Sequence, residues 1–233
     1  MNKKNNKKIK KVRKIRYGRI FLILIILFLI FYLLFNFVDF PIKNIYIKNN
    51  TILSDQEIIE LAHLENYPSI FKYTEHEIEK NLNKNIYIKS SKVKKVALSK
   101  IYIDIEENYP IFYYLSENKT YLKSSETVDK NISSPEVINY IPDTVFSQFE
   151  KNMSSLDRSI IEKISQIEYK PNEVDSERFL FYMRDGNYVY LNFDSFDSIN
   201  NYPTILIQII NKYGNKSGIL YLDEGDYFEI LKN

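Results

Sequence analysis

The chain contains no cysteine and no tryptophan, two histidines, five glycines and seven prolines. Without cysteine no disulfide can staple it, so an exported part must be held by packed cores. The same absence removes thiolate ligands. His63 and His76 do not form a His-x-x-x-His helical pair, and further ligands at zinc-site spacing are missing. No Gly-x-x-x-x-Gly-Lys loop or Gly-x-Ser-x-Gly elbow occurs, which leaves phosphate cradling and elbow-type serine chemistry without their residues. Asp185, Asp223, Glu224 and Asp226 are carboxylates near turns, where Asp beside Gly is expected on conformational grounds. No metal, cofactor or catalytic residue is therefore expected.

What the chain does have is one long apolar run. Ile20–Phe35 is interrupted only by the Tyr32 hydroxyl, and Asn36 is the sole break before Val38. At 1.5 Å per residue, residues 20–38 are just long enough for a hydrocarbon core of about 30 Å. Residues 1–19 carry ten Lys/Arg and no acid, and the first carboxylate is Asp39. That asymmetry predicts a cytoplasmic tail (1–19), a transmembrane helix (20–38) and an extracytoplasmic remainder. A cleaved signal peptide would have a shorter core and small residues at its end; here bulky residues continue through Leu-Phe-Asn-Phe-Val-Asp-Phe-Pro. The run has no Gly-x-x-x-Gly face for tight helix pairing.

The formal charge of +2 hides two opposite parts. Beyond residue 19, 22 Lys/Arg stand against 30 Asp/Glu, a balance of −8. The positive charge thus belongs to the topology signal and to anionic lipid, and no nucleic-acid partner is expected.

The exported part reads as α+β. Ile42–Lys48 has strand character. Ser54-Asp55-Gln56-Glu57 and Thr74-Glu75-His76-Glu77 both have capping-box spacing, ahead of Ile58, Leu61, Ala62 and Leu64 and of Ile78 and Leu82. Between them, Tyr67–Phe71 reads as a loop turning Ile70 and Phe71 inward. Val93 and Val96 mark a strand. Ile101, Ile103 and Ile105 alternate with Tyr102, Asp104 and Glu106 along another. The order β-α-α-β-β over residues 40–107 predicts one domain, with a tight boundary at Glu106–Pro110. The second (108–231) reads as a mixed, β-rich domain. It has hairpin strands at 111–115 and 119–123, helix at 143–151 and again at 156–167, and strands at 179–183 and 188–193 about Asp185-Gly186. A helix at 202–213 and a last hairpin, 219–222 with 227–231, complete it.

This layout resembles the FtsQ/DivIB cell-division family: a basic tail, one membrane helix, a POTRA domain and a β-domain. Pro41–Asn50 followed by Leu53–Ile59 resembles the opening of that family's POTRA domain, with Asn49 where Gly is usual. Lys100–Pro110 resembles its closing strand, with Asn108 where Arg is usual. Ile164–Pro171, Tyr182–Asn187, Tyr202-Pro203 and Gly218–Phe228 are similar to the β-domain of the Gram-positive DivIB branch.

The resemblance implies a non-catalytic scaffold of the division complex. Its partners would be FtsL-like and DivIC/FtsB-like bitopic coiled-coil proteins, its place the cell membrane at the septum, and its effect control of septal peptidoglycan synthesis. It also implies that a partner adds a strand to an exposed edge near Gly218–Phe228, with Tyr221, Leu222, Asp223, Tyr227 and Phe228 as contacts. For each aromatic residue among them, core packing is the competing role. Two other readings stay open at this stage, a POTRA-bearing export or assembly factor and a membrane-tethered cell-wall enzyme.

Overall fold

The computed structural model describes residues 17–37, 40–225 and 227–231, and of residues 34–37 the backbone only. The first element is helix α1 (Tyr17–Phe37), whose apolar side chains from Ile20 to Leu33 are exposed. Among the described residues no helix is long and apolar enough to cross a membrane. The expected span ends at Val38 and the expected basic tail begins at Met1, so both extend outside the described residues.

Next comes a three-stranded sheet in the order β1-β3-β2, with two helices between the first strand and the second. Strand β1 (Asn44–Lys48) runs parallel to β3 (Lys100–Glu107), and β2 (Ile88–Val96) runs antiparallel to it. Helix α2 (Asp55–Leu61) starts where the sequence says it should. Ser54 Oγ accepts from the Glu57 N–H at 3.3 Å, and Glu57 accepts from the Ser54 N–H at 2.8 Å. Helix α3 (Glu75–Leu82) repeats the box with Thr74 and Glu77. Each box satisfies two of the N–H groups that a helix start leaves unpaired. Asn49 closes β1 at φ +63°, a left-handed conformation that Asn tolerates better than most residues.

Ile58, Leu64, Ile78, Leu82, Ile101 and Ile103 form the core of this unit. The loop between the helices divides its two apolar residues. Ile70 is buried, as expected, but Phe71 is 48% exposed and packs edge-on against Phe40.

The chain then enters a nine-stranded sheet in the order β12-β11-β10-β9-β8-β7-β4-β5-β6. Its strands are β4 (Pro110–Tyr114), β5 (Lys119–Leu122), β6 (Thr127–Val128), β7 (Glu136–Val137), β8 (Ile164–Tyr169), β9 (Phe179–Met183), β10 (Tyr188–Leu191), β11 (Gly218–Tyr221) and β12 (Tyr227–Ile230). Helices α4 (Asp143–Ser155), α5 (Arg158–Ile161) and α6 (Tyr202–Tyr213), with a 3-10 turn over Phe196–Asn201, pack a continuous apolar core with the strands. Val145, Phe149 and Met153 of α4 meet Phe179 and Phe181 of β9 in that core. The β10–β11 pair is parallel because α6 carries the chain across between them.

The expected helix over 156–167 is not there. Only Arg158–Ile161 is helical, and Ile164–Tyr169 is strand β8 in mid-sheet. The register of β8 against β9 shifts between Ile164 and Gln166. A bulge of this kind inserts one residue, so Ile164 and Ile167 are both buried at a spacing of three. Three-residue spacing is what a helix would show.

Candidate interaction edge

The last hairpin lies at one end of the large sheet, and β12 is its edge strand. The Leu231 N–H donates to the Ser217 carbonyl at 3.2 Å. Antiparallel partners alternate, so Phe228 and Ile230 turn their backbone N–H and C=O groups away from β11. These outward groups can accept another strand.

Side chains on the two faces of this hairpin have different work. Phe228 packs against the large core and lies 5.6 Å from Tyr213 of α6. Gly218 makes that possible, since a Cβ there would come within 2.3 Å of the Glu229 carbonyl and of Phe228 Cζ. On the opposite face, cross-strand neighbours Tyr190, Tyr221 and Tyr227 stack in a row. Tyr190–Tyr221 centroids are 5.3 Å apart and Tyr221–Tyr227 centroids 4.5 Å, both pairs nearly parallel.

Arg178 begins this row, with its guanidinium carbon 3.7 Å from the Tyr190 ring centroid. It also pairs with Asp223 at 2.5 Å. Burial works against the Arg178 cation, but the Asp223 bond and the nearby negative charges outweigh it and raise its pKa. Burial and then the neighbouring Tyr227 and Glu229 push the Tyr221 phenol up, so it stays a neutral hydrogen-bonding group at physiological pH.

Of the five residues singled out from the sequence, Tyr227 is 44% exposed at the edge and Tyr221 is half-buried in the row. Leu222 is buried and Phe228 packs inward, while the Asp223 side chain is 3% exposed. Sequence reasoning missed Tyr190 and Arg178. Tyr188-Val189-Tyr190 alternates as a strand with tyrosines on one face, a legible signal; Arg178, 45 residues from Asp223, had none.

Among the described residues no group of three or more His, Asp or Glu is placed to hold a metal ion. The chain does contain Ser-x-x-Lys spacings, at Ser69–Lys72, Ser91–Lys94 and Ser116–Lys119, the last across the exposed turn between β4 and β5. Ser91 is buried on β2 and Lys94, an odd number of residues along, is exposed on the other face. The Ser69 carbonyl accepts the Lys72 N–H within a turn.

The order of elements, the capped helices and the following large sheet define a POTRA-bearing protein. The family model described as "POTRA domain, FtsQ-type" matches residues 40–108. The chain is 31% identical over 198 residues to the cell division protein DivIB of Bacillus subtilis (strain 168), covering 81% of this chain and 73% of that protein. It is 30% identical to DivIB of Bacillus cytotoxicus over 200 residues (82% and 76%) and 25% identical to DivIB of Geobacillus kaustophilus over 196 residues (80% and 74%). A solved structure of the major extracytoplasmic domain of DivIB from Geobacillus stearothermophilus is 17% identical, covers 46% of this chain and 98% of that one, and has a TM-score of 0.36. The chain belongs to the DivIB branch of the FtsQ/DivIB family, and its role is in cell division.

Proposed function

We propose that this protein is a non-catalytic, membrane-anchored scaffold of the division complex that captures FtsL-like and DivIC/FtsB-like bitopic partners through the β12 edge and so helps control septal peptidoglycan synthesis. One observation carries the reading: a sheet edge with outward backbone groups stands beside an exposed tyrosine at the end of a stacked row. An extended segment can bind there by main-chain hydrogen bonds while side chains select the partner. Tyr227 and Tyr221 are the proposed contacts. Leu222, Asp223 and Phe228 hold the hairpin in the position where those contacts are made.

The anchor in this reading is the apolar run at 20–38, most of which lies in α1. Ten cations and no acid occupy residues 1–19 ahead of that run, a charge asymmetry that puts the N-terminus on the cytoplasmic side. The domain limits that go with the reading are a tail at 1–19, a membrane helix at 20–38, POTRA at 40–107 and a β-domain at 108–231.

The test is co-purification of the full-length protein from membranes together with co-expressed FtsL-like and DivIC-like proteins. Tyr227→Ala should weaken their capture about tenfold, the size expected for an aromatic anchor, with the thermal midpoint nearly unchanged. Undiminished capture by Tyr227→Ala and by Ile230→Pro, which removes an outward donor without touching the β11 ladder, would put the contact elsewhere.

A further inference from the structure

The turn that feeds β12 also forms one wall of a recess of about 390 Å³. Three chain segments meet there: the β8–β9 loop, the residues after β10, and Asp223-Glu224 of the final turn. Among the described residues its charged lining is Asp175, Glu177, Asp194, Asp223 and Glu224, with no Lys, Arg or His. Negative charge collected in this way favours a cationic occupant.

A second observation points the same way. The Asp223 side chain is 3% exposed, and its Oδ1 has no hydrogen-bond partner among the described residues, while Oδ2 takes the Arg178 bond. A buried carboxylate oxygen without a partner carries a desolvation cost that a donor placed beside it would remove. Arg178 is already committed to Asp223, to the Tyr190 ring and, more distantly at 3.8 Å, to Glu224. Among the described residues Asp175, Glu177 and Asp194 have no cationic partner, and Glu224 has only that distant one. Asp175 has neutral donors instead, the Asn192 side chain and the Glu177 N–H.

We infer that this recess receives a lysine or arginine side chain from the segment that docks on β12, which makes basic charge beside the docking strand the feature that selects a partner. The inference rests on the edge reading proposed above. A bare metal ion fits less well, because the carboxylates are not gathered within joint coordinating reach among the described residues. A side chain's ammonium or guanidinium group can instead satisfy several spaced acceptors at once. Asp223 and Glu224 lie in the turn between β11 and β12, two residues before β12 begins, so a strand lying along that edge passes the recess at its end.

The experiment uses the full-length protein in lipid nanodiscs with the full-length FtsL-like and DivIC-like pair as probe, measured across a salt series. Asp194→Asn combined with Glu224→Gln removes two exposed carboxylates of the recess while keeping their shape. This variant should lose about tenfold in affinity at low salt, with the loss shrinking as salt rises. Ile230→Pro should lose capture at every salt concentration. If the double variant matches the parent throughout while Ile230→Pro fails to bind, the recess inference is wrong and the edge reading stands. If Ile230→Pro binds like the parent, the edge reading falls and takes the inference with it. Calcium chloride alone is the remaining arm. A rise in the parent's thermal midpoint that the double variant lacks would assign the recess to a metal ion and overturn the inference.

Discussion

Tyr202 holds a hydroxyl on which three elements converge. It donates to Asp185 Oδ2 at 2.7 Å and accepts from Asn187 Nδ2 at 3.0 Å, while Asn187 Oδ1 accepts the Gly218 N–H at 2.9 Å. The start of α6, the β9–β10 turn and the start of β11 are tied together by these bonds. Burial, and then the Asp185 bond, push the phenol pKa far up, so the group remains a donor at any workable pH. Tyr202→Phe leaves the buried Asn187 amide short of a partner, while the exposed Asp185 can turn to water, and should cost about 1–3 kcal/mol. Urea unfolding of the full-length protein would measure it. A smaller loss would mean that water replaces the hydroxyl. Tyr182 has a comparable arrangement at the sheet surface, with burial and its bond to Glu168 raising its pKa to about 12.

At the scale of elements, the β11–β12 hairpin depends on one small residue. Gly218 sits where the Glu229 backbone and the Phe228 ring come too close for a side chain. Gly218→Val must displace the hairpin or the ring, and overpacking of this kind costs about 1–3 kcal/mol. Partner capture should fall along with the thermal midpoint, whereas Tyr227→Ala should lower capture alone. That contrast separates damage to the hairpin from loss of a contact.

Most elements were legible because each left a local mark. Both helices of the first unit begin at their capping boxes, and the Ile101–Ile103–Ile105 alternation is a strand with one buried face. Gly186, at φ +88°, turns between β9 and β10 as Asp185-Gly186 suggests. Strand β8 was misread because its bulge gives strand residues a helical spacing. Strands β6 and β7 are two residues each, too short for any period to show.

Over the whole molecule, the two sheets are joined by more than the short connection through Asn108 and Tyr109. Glu107 ends β3 with its side chain 3% exposed. Its carboxylate accepts from the Thr51 hydroxyl and N–H at 2.5 Å each, from the Ile52 N–H at 2.6 Å and from Arg158 of α5 at 2.8 Å. Asn108 adds bonds to Ile86 O on one side and to Glu126 on the other.

Burial alone would raise the Glu107 pKa. The Thr51, Ile52 and Arg158 bonds outweigh it and hold the pKa below its ordinary 4.5. A carboxylate with a depressed folded-state pKa contributes stability that is fully present above the unfolded value and is lost as pH falls through the folded one. The thermal midpoint should therefore fall as pH drops below about 4.5. Glu107→Gln should flatten that acid limb while lowering stability at neutral pH. Arg158 is a third exposed, so solvent screens its pair with Glu107. Arg158→Ala should accordingly cost only about 1 kcal/mol in unfolding, while loosening the orientation of the two sheets.

The sequence by itself determined the β-α-α-β-β unit, the turn positions, the apolar run and the likeness to a division family. Local capping, periodicity and turn chemistry are written in neighbouring residues. Only the tertiary structure decided that β12 is an edge, that Phe71 stays exposed, and that Leu222 is buried while Tyr227 is not. It alone brought Arg178 to Asp223 and Glu107 to Arg158. Those pairs lie 45 and 51 residues apart, and no local pattern encodes a contact made by the packing of distant segments.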